Sequence, residues 1–257
     1  MMGGINNKDN GLPEKEREVI LIIGASSDLG IETIRSIFNK DTIIIAHYNS
    51  SGERINSLVK EFGASIVPIK ADLTKHEEVS GLIEFVKNNY QPTKFIQFAS
   101  PPLILKRFKE IEWPCFQEQL DVQLKSSALI LREILPFMAK KEYGKVLFIL
   151  SSVTQGAPPK MMADYVTAKY ALLGLAKALA SEYADKHICV NSISPSMMET
   201  RFIKGVPEKL VEMEAERNLG GRNVKPQDVI PLISFLLSNK SDFITGANIP
   251  VSGGSVF

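Results

Sequence analysis

Seven short apolar runs, interleaved with segments of helical spacing, decide what this chain can fold into. EVILII (Glu18 to Ile23) ends in GASSDLG, and IETIRSIFNK follows with helical spacing. TIIIAHYN, SIVPIKADLT, KFIQFA, KVLFIL, HICVNSIS and GANIPVSGG continue the series, with helical stretches between them. KVLFIL (Lys145 to Leu150) is a nearly continuous apolar run, which suits a strand buried on both faces. No hairpin signal joins any two of the runs. Such a pattern predicts an α/β chain: a parallel sheet doubly wound, with helices on both faces.

Other segments bound the function. The polar, Gly/Asn-rich residues 1–17 read as a flexible tail, and 18–257 as a single catalytic domain. The tail has no hydrophobic core of a signal peptide, and no apolar run is long enough to span a bilayer. Net charge is +1, which argues for neither a nucleic-acid nor a membrane surface. Cys115 and Cys189 read as buried free thiols in a reducing, cytoplasmic setting. No metal site is expected. Residues 197–220 are too long for an ordinary loop and carry an amphipathic helix, as a short substrate lid would. Thr74 is expected to cap the helix after the third strand, and Trp113 to Lys140 to form one long helix.

Chemistry concentrates in Ser151 to Lys169, SSVTQGAPPKMMADYVTAK. Tyr165 and Lys169 share a helix face. An ammonium beside a phenol favours the phenolate, so the tyrosine pKa is expected to fall towards working pH, as suits a general acid. Ser152, at the end of KVLFIL, can be carried to the same oxygen. A pair spaced like this is also ordinary on any amphipathic helix, and it gains meaning only from the rest of the chain. GASSDLG is either a helix-capping turn or a cradle of N–H groups for a pyrophosphate.

In order, these landmarks resemble the short-chain dehydrogenase/reductases, most similarly their 3-oxoacyl-[acyl-carrier-protein] reductase branch, from about Val19 to the C-terminus. The family's Thr-Gly-x-x-x-Gly-x-Gly is similar to Ile23 to Gly30, and its adenine-binding Asp matches Asp72. Its Ser and Tyr-x-x-x-Lys match Ser152, Tyr165 and Lys169; its Pro-Gly becomes Pro195-Ser196, with Thr200 beyond. Thr245-Gly246 and Gly253-Gly254 match its closing motif. The resemblance implies a Rossmann-type sheet and a nicotinamide dinucleotide. The implied cofactor-binding set is Gly24, Ser26, Ser27, Asp28, Leu29, His47, Tyr48, Asn49, Ser50, Asp72, Leu73, Ala99, Ser100, Tyr165, Lys169, Pro195, Met198 and Thr200. It also implies a homotetramer or homodimer, packed through the Trp113 to Lys140 helix and the Tyr165 to Tyr183 helix.

Four departures stand out. Asp28 replaces a turn glycine, and brings a carboxylate towards phosphates while tolerating left-handed backbone. Asn-Asn-Ala-Gly becomes Gln97-Phe98-Ala99-Ser100, with Pro101 next. The fourth catalytic residue, an Asn, falls on Gln123. His47 stands where NAD-users place an acid. No carboxylate follows before Glu53, while Tyr48, Asn49, Ser50, Ser51 and Arg54 offer donors, which favours NADP(H), with NAD(H) as the second candidate. The expected activity is NADPH-dependent reduction of a ketone, a 3-oxoacyl thioester or similar, free or carrier-bound. The alternatives are a sugar or secondary-metabolite ketone, or a catalytically impaired NADP-binding protein.

Overall fold

The computed structural model describes residues 17–256. The tail expected over 1–17 therefore lies outside the described residues except for Arg17, whose guanidinium donates to the carbonyls of Lys40 and Thr42 and to Ser65. The strands are β1 (Glu18–Ile23), β2 (Thr42–Tyr48), β3 (Ile66–Lys70), β4 (Lys94–Gln97), β5 (Gly144–Ile149), β6 (Ile188–Pro195) and β7 (Asn248–Val251). The helices are α1 (Asp28–Ile37), α2 (Gly52–Phe62), α3 (His76–Asn89), α4 (Trp113–Leu120), α5 (Ser126–Lys140), α6 (Ala163–Tyr183), α7 (Glu208–Arg217) and α8 (Pro226–Leu236). One parallel sheet takes the order β3-β2-β1-β4-β5-β6-β7. It is the Rossmann-type doubly wound sheet that the run pattern predicts.

Why β1 is apolar at every position is visible in its neighbours. Val19, Leu21 and Ile23 pack with α3, α5 and α6 on one face; Ile20 and Ile22 pack with α1, α2 and α8 on the other. Each buried side chain of this size stabilises the fold by about 1.5–3 kcal/mol. Pro68 interrupts β3 and Pro250 interrupts β7, and both are outermost strands, where a missing N–H is tolerated.

The Trp113 to Lys140 stretch is helical throughout, as expected, with a π-helical turn at Asp121–Lys125 between α4 and α5. One local expectation is corrected. Thr74 does not cap α3, which starts after Lys75; its hydroxyl donates instead to Asp72 Oδ1 at 2.7 Å.

The order reverses at β1, which lies between β2 and β4. A crevice opens there beyond the carboxyl ends of the strands, the place where such sheets bind ligands. A third apolar cluster roofs it: Leu103, Val153, Met162, Tyr165, Ile203 and Val206. The segment 197–220, expected as a lid, includes a turn at Arg201–Ile203 and continues into α7. Asn223 ties it down by donating to Glu199 Oε1 and to the Val211 carbonyl, both at 3.0 Å. At its far end, the Gly220 N–H meets the Gly253 carbonyl at 3.1 Å.

Candidate active site

A single cleft of about 1110 Å³ runs from the β1–α1 turn to α7. Every residue of the implied site lines it except Tyr48 and Gln123. At the dinucleotide end, Gly24 has φ 76°, and a side chain there would bring its Cβ within 2.5 Å of the Ala99 nitrogen. Only glycine lets this turn approach the β4 loop so closely. Ser27 caps α1 by accepting from the Gly30 N–H at 3.0 Å. The helix N-terminus therefore faces the cleft with its N–H groups, as a pyrophosphate requires. Hydrogen bonds from Thr74 to its carboxylate hold the Asp72 pKa down and keep the side chain charged. Its backbone N–H is taken by Glu78 Oε2 at 2.6 Å. The bare turn, the helix N-terminus and this fixed carboxylate fit a dinucleotide.

Three readings at this end are corrected. His47 touches the cleft only as a buried ring whose nitrogens are already engaged: its Nδ1 accepts from the Gly24 N–H at 3.1 Å and its Nε2 meets the Ala71 carbonyl at 2.9 Å. Burial pushes its pKa down to about 4, so the ring is a neutral brace beneath the glycine turn. The Tyr48 ring packs against Gly52 at the start of α2. Asp28 needs no left-handed backbone, since it is the first residue of α1. Its carboxylate is held by Arg54 at 2.8 Å and by Arg201 at 3.1 Å.

At the catalytic end, α6 brings Tyr165 and Lys169 against the end of β5. Lys169 Nζ lies 5.4 Å from the Tyr165 ring centroid and donates to the Ile149 carbonyl at 2.8 Å. The expected fall in the tyrosine pKa does not occur. Burial pushes Tyr165 up to about 12, opposed only by a hydrogen bond from Ser151, and burial pushes Lys169 down to about 7. The lysine sits over the ring and bonds a carbonyl, so desolvation outweighs any pull on the phenol. Tyr165 thus stays protonated, which is the form that donates. Ser151 and Ser152 both line the cleft with Tyr165; Ser152 opens a short helical turn, which Ser151 caps by accepting from the Val153 N–H at 3.4 Å.

Gln123 does not reach the cleft. It is fully buried in the π-helical turn, where its amide donates to Gln119 Oε1 at 2.6 Å and its own Oε1 has no partner. Gln97 is equally internal: it donates to Ser127 Oγ at 2.8 Å and accepts from the Ala99 N–H at 2.9 Å. It braces the β4 loop from below, while Ala99 and Ser100 remain at the cleft surface.

The remaining end of the cleft is largely apolar, with Glu214 and Arg217 of α7 also in its lining. Leu103, Leu105, Met161, Met162, Phe202, Ile203, Val206, Leu210 and Met213 line it. Phe202 tilts against Tyr165, ring centroids 5.7 Å apart. Backbone bonds Leu103 N–H to Phe202 O and Lys106 N–H to Met161 O stitch three segments into this roof. Reading the sequence missed Ser151, Arg201 and the roof. Arg201 had one signal, its place directly after Thr200.

Comparison with known proteins agrees with this geometry. The family model described as enoyl-(acyl carrier protein) reductase matches residues 24–255. The 3-oxoacyl-[acyl-carrier-protein] reductase of Thermotoga maritima is 29% identical over 247 residues, covering 94% of this chain and 98% of its own. Dehydrogenase/reductase SDR family member 4 of Bos taurus is 26% identical, over 94% of this chain and 88% of its own. Among solved structures, the 3-ketoacyl-(acyl-carrier-protein) reductase of Brucella melitensis, complexed with NADH, superposes with TM-score 0.85 at 22% identity, covering 94% and 99% of the two chains. A gluconate 5-dehydrogenase of Burkholderia cenocepacia, in complex with NADP and tartrate, gives TM-score 0.82 at 21% identity, over 93% and 94%. The chain belongs to the short-chain dehydrogenase/reductases, as an NAD(P)-dependent oxidoreductase acting on CH–OH and C=O groups.

Proposed function

We propose that the protein is an NADPH-dependent carbonyl reductase, with a 3-oxoacyl thioester or similar apolar ketone as substrate. The observation that carries this is the grouping of Ser151, Ser152, Tyr165 and Lys169 in one cleft beneath an apolar roof. A substrate carbonyl placed there accepts from the serine hydroxyls, which orient it. The reduced nicotinamide, when bound at this end of the cleft, supplies the hydride. Tyr165 gives its proton to the oxygen as negative charge develops there. Lys169 titrates near neutrality and is buried against the same ring, well placed to return a proton to Tyr165. The roof excludes water and accepts an alkyl chain. The names of the relatives support the thioester class.

NADPH is preferred here because no carboxylate occupies the end of β2, and because two arginines stand beside it. Ser152 belongs to the proposed carbonyl-binding pair, and Gln123 to the scaffold behind it. Residues 18–257 act as one catalytic domain in the cytoplasm. Among the described residues no helix is long and apolar enough to cross a membrane. Exposed Trp113 on α4 and Tyr170 on α6 support assembly into a homodimer or homotetramer through these helices.

The test follows oxidation of NADPH and NADH with 3-oxoacyl thioesters of increasing chain length, a keto-sugar acid and a trans-2-enoyl thioester. Turnover that rises with chain length on the ketones supports the reading. Turnover confined to the sugar acid or the enoyl thioester replaces it.

A further inference from the structure

Two lysines are buried at the amino ends of the strands, the end of the sheet opposite the cleft. The register sets Lys94 beside Lys145 and Lys145 beside Cys189, so the three side chains share one face of β4, β5 and β6. Lys94 pairs with Glu18 at 2.6 Å. Lys145 is the deeper, its side chain 2% exposed, and Asp242 of the α8–β7 connection meets it at 2.6 Å. The same Nζ lies 3.5 Å from Cys189 Sγ and 3.4 Å from Ser241 Oγ. The thiol in turn faces the Asp242 and Ser241 carbonyls at 3.3 and 3.7 Å. None of these residues lines the cleft. Desolvation offsets much of the attraction in a buried ion pair, so stability alone does not account for a lysine here.

We propose that Cys189 and Lys145 form an oxidation site for hydrogen peroxide, which closes to a reversible sulfur–nitrogen cross-link between β5 and β6. The sulfur attacks the peroxide: an S–O bond forms, the O–O bond breaks, and hydroxide leaves with the thiol proton as water. Sulfenic acids condense even with backbone nitrogens, and a lysine amine is the stronger nucleophile. Lys145 passes one proton to the Asp242 carboxylate and attacks the same sulfur. An N–S bond forms, the S–O bond breaks, and hydroxide leaves with a second nitrogen proton. The sulfur is oxidised by two electrons, and one peroxide is reduced to two waters. Both cysteines are free, and Cys115 lies on α4 beside Lys106, so the amine is the nucleophile at hand. Asp242 is 58% exposed and the next residue, Phe243, fully so, which brings a small neutral oxidant close to the thiol. The product removes a buried charge and leaves Asp242 to water. It also closes a loop between residues 44 apart, which contains α6 with Tyr165 and Lys169. Such a link restricts the unfolded chain and stabilises the fold without touching the cleft. The site is independent of the proposed reductase function.

The test treats the full chain with a small excess of hydrogen peroxide, in a Cys115→Ala background that rules out a disulfide. Intact mass, peptide mapping and thermal unfolding are read before and after dithiothreitol. The expected product has lost two hydrogen atoms, yields one peptide pair joining Lys145 to Cys189, and returns to the starting mass with dithiothreitol. Its Tm is expected to rise by roughly 5–10 °C. Lys145→Arg keeps a cation but cannot close the link, so its Cys189 should stop at oxygenated forms, and Cys189→Ser should not react. An unreactive thiol overturns the proposal. So does a product that gains oxygen, at Cys189 alone or between the two residues, in the background protein. Loss of two hydrogens that persists in Lys145→Arg overturns Lys145 as the partner. A cross-link that leaves Tm unchanged overturns its role as a staple.

Discussion

The two ends of the cleft handle charge in opposite ways. At the dinucleotide end, charges are half-open to water and paired: Asp28 with Arg54 and Arg201, and Asp72 with Lys75. At the catalytic end, burial suppresses charge. Lys169 titrates near 7 and Tyr165 near 12. Open pairs can be exchanged for a ligand's charges at small cost. Buried neutral groups keep their protons in fixed positions, which is what a proton donor and a structural brace both need. One cleft thus combines a surface that trades ions with an interior that holds protons.

The sharpest way to break this contrast is at the interior end. Tyr165→Phe removes one hydroxyl and leaves the ring against Phe202. Turnover is expected to fall roughly 10²- to 10⁴-fold, while dinucleotide binding stays within about twofold. Steady-state rates beside binding titrations check this, and wild-type turnover in the variant would remove Tyr165 as the proton donor.

His47→Asp comes next. A carboxylate placed under the glycine turn is buried without a cation, and the Ala71 carbonyl loses its donor. The expected cost is about 3 kcal/mol of stability, with NADPH and NADH weakened together. Denaturant unfolding and paired titrations measure it. A stable variant that exchanges NADPH for NADH would mean that the ring faces the cofactor after all.

Phe202→Ala tests the roof. Losing its contact with Tyr165 and with the apolar lining should raise KM for a long-chain ketone about tenfold, with kcat less affected. Equal effects on short and long substrates would separate Phe202 from chain recognition.

Lys169→Met gives the smallest effect, and its sign is definite. The folded pKa near 7 lies below the ordinary lysine value, so between about pH 7 and pH 10.5 the unfolded chain holds the extra proton. Stability of the cofactor-free protein should therefore rise with pH in this window, by about 1 kcal/mol from pH 7 to 8. Below pH 7 both states are protonated and this contribution to the slope disappears. Urea unfolding at the two pH values should show the rise in the wild type and a flatter profile in Lys169→Met. Identical profiles would show that Lys169 remains charged in the fold.

How much of this was legible in the sequence follows the range of the interactions. β1 and its neighbours were legible because burial on both faces leaves a continuous apolar run. Gly24 and the Tyr165–Lys169 pair were legible because a turn and a helix fix them locally. Side-chain direction was not. His47 turns inward because Ala71, 24 residues on, offers a carbonyl. Asp28 is neutralised by a residue 173 positions away. Gln123 is withdrawn from the cleft by a π-helical turn that no helix propensity foretells. The 3-oxoacyl reductase resemblance gave the landmarks of the site, but the contacts that tune it depend on the tertiary fold.

The prolines of β3 and β7 have a consequence for the molecule's life among its own copies. A sheet's outermost strands are templates on which another chain can add a strand. Here both margins carry a residue that cannot donate, Pro68 on one side and Pro250 on the other. Strand-by-strand growth into filaments is disfavoured at either margin, even at high concentration. The assembly proposed above would then fall to side-chain surfaces such as exposed Trp113 and Tyr170, where two copies would meet as closed, countable particles.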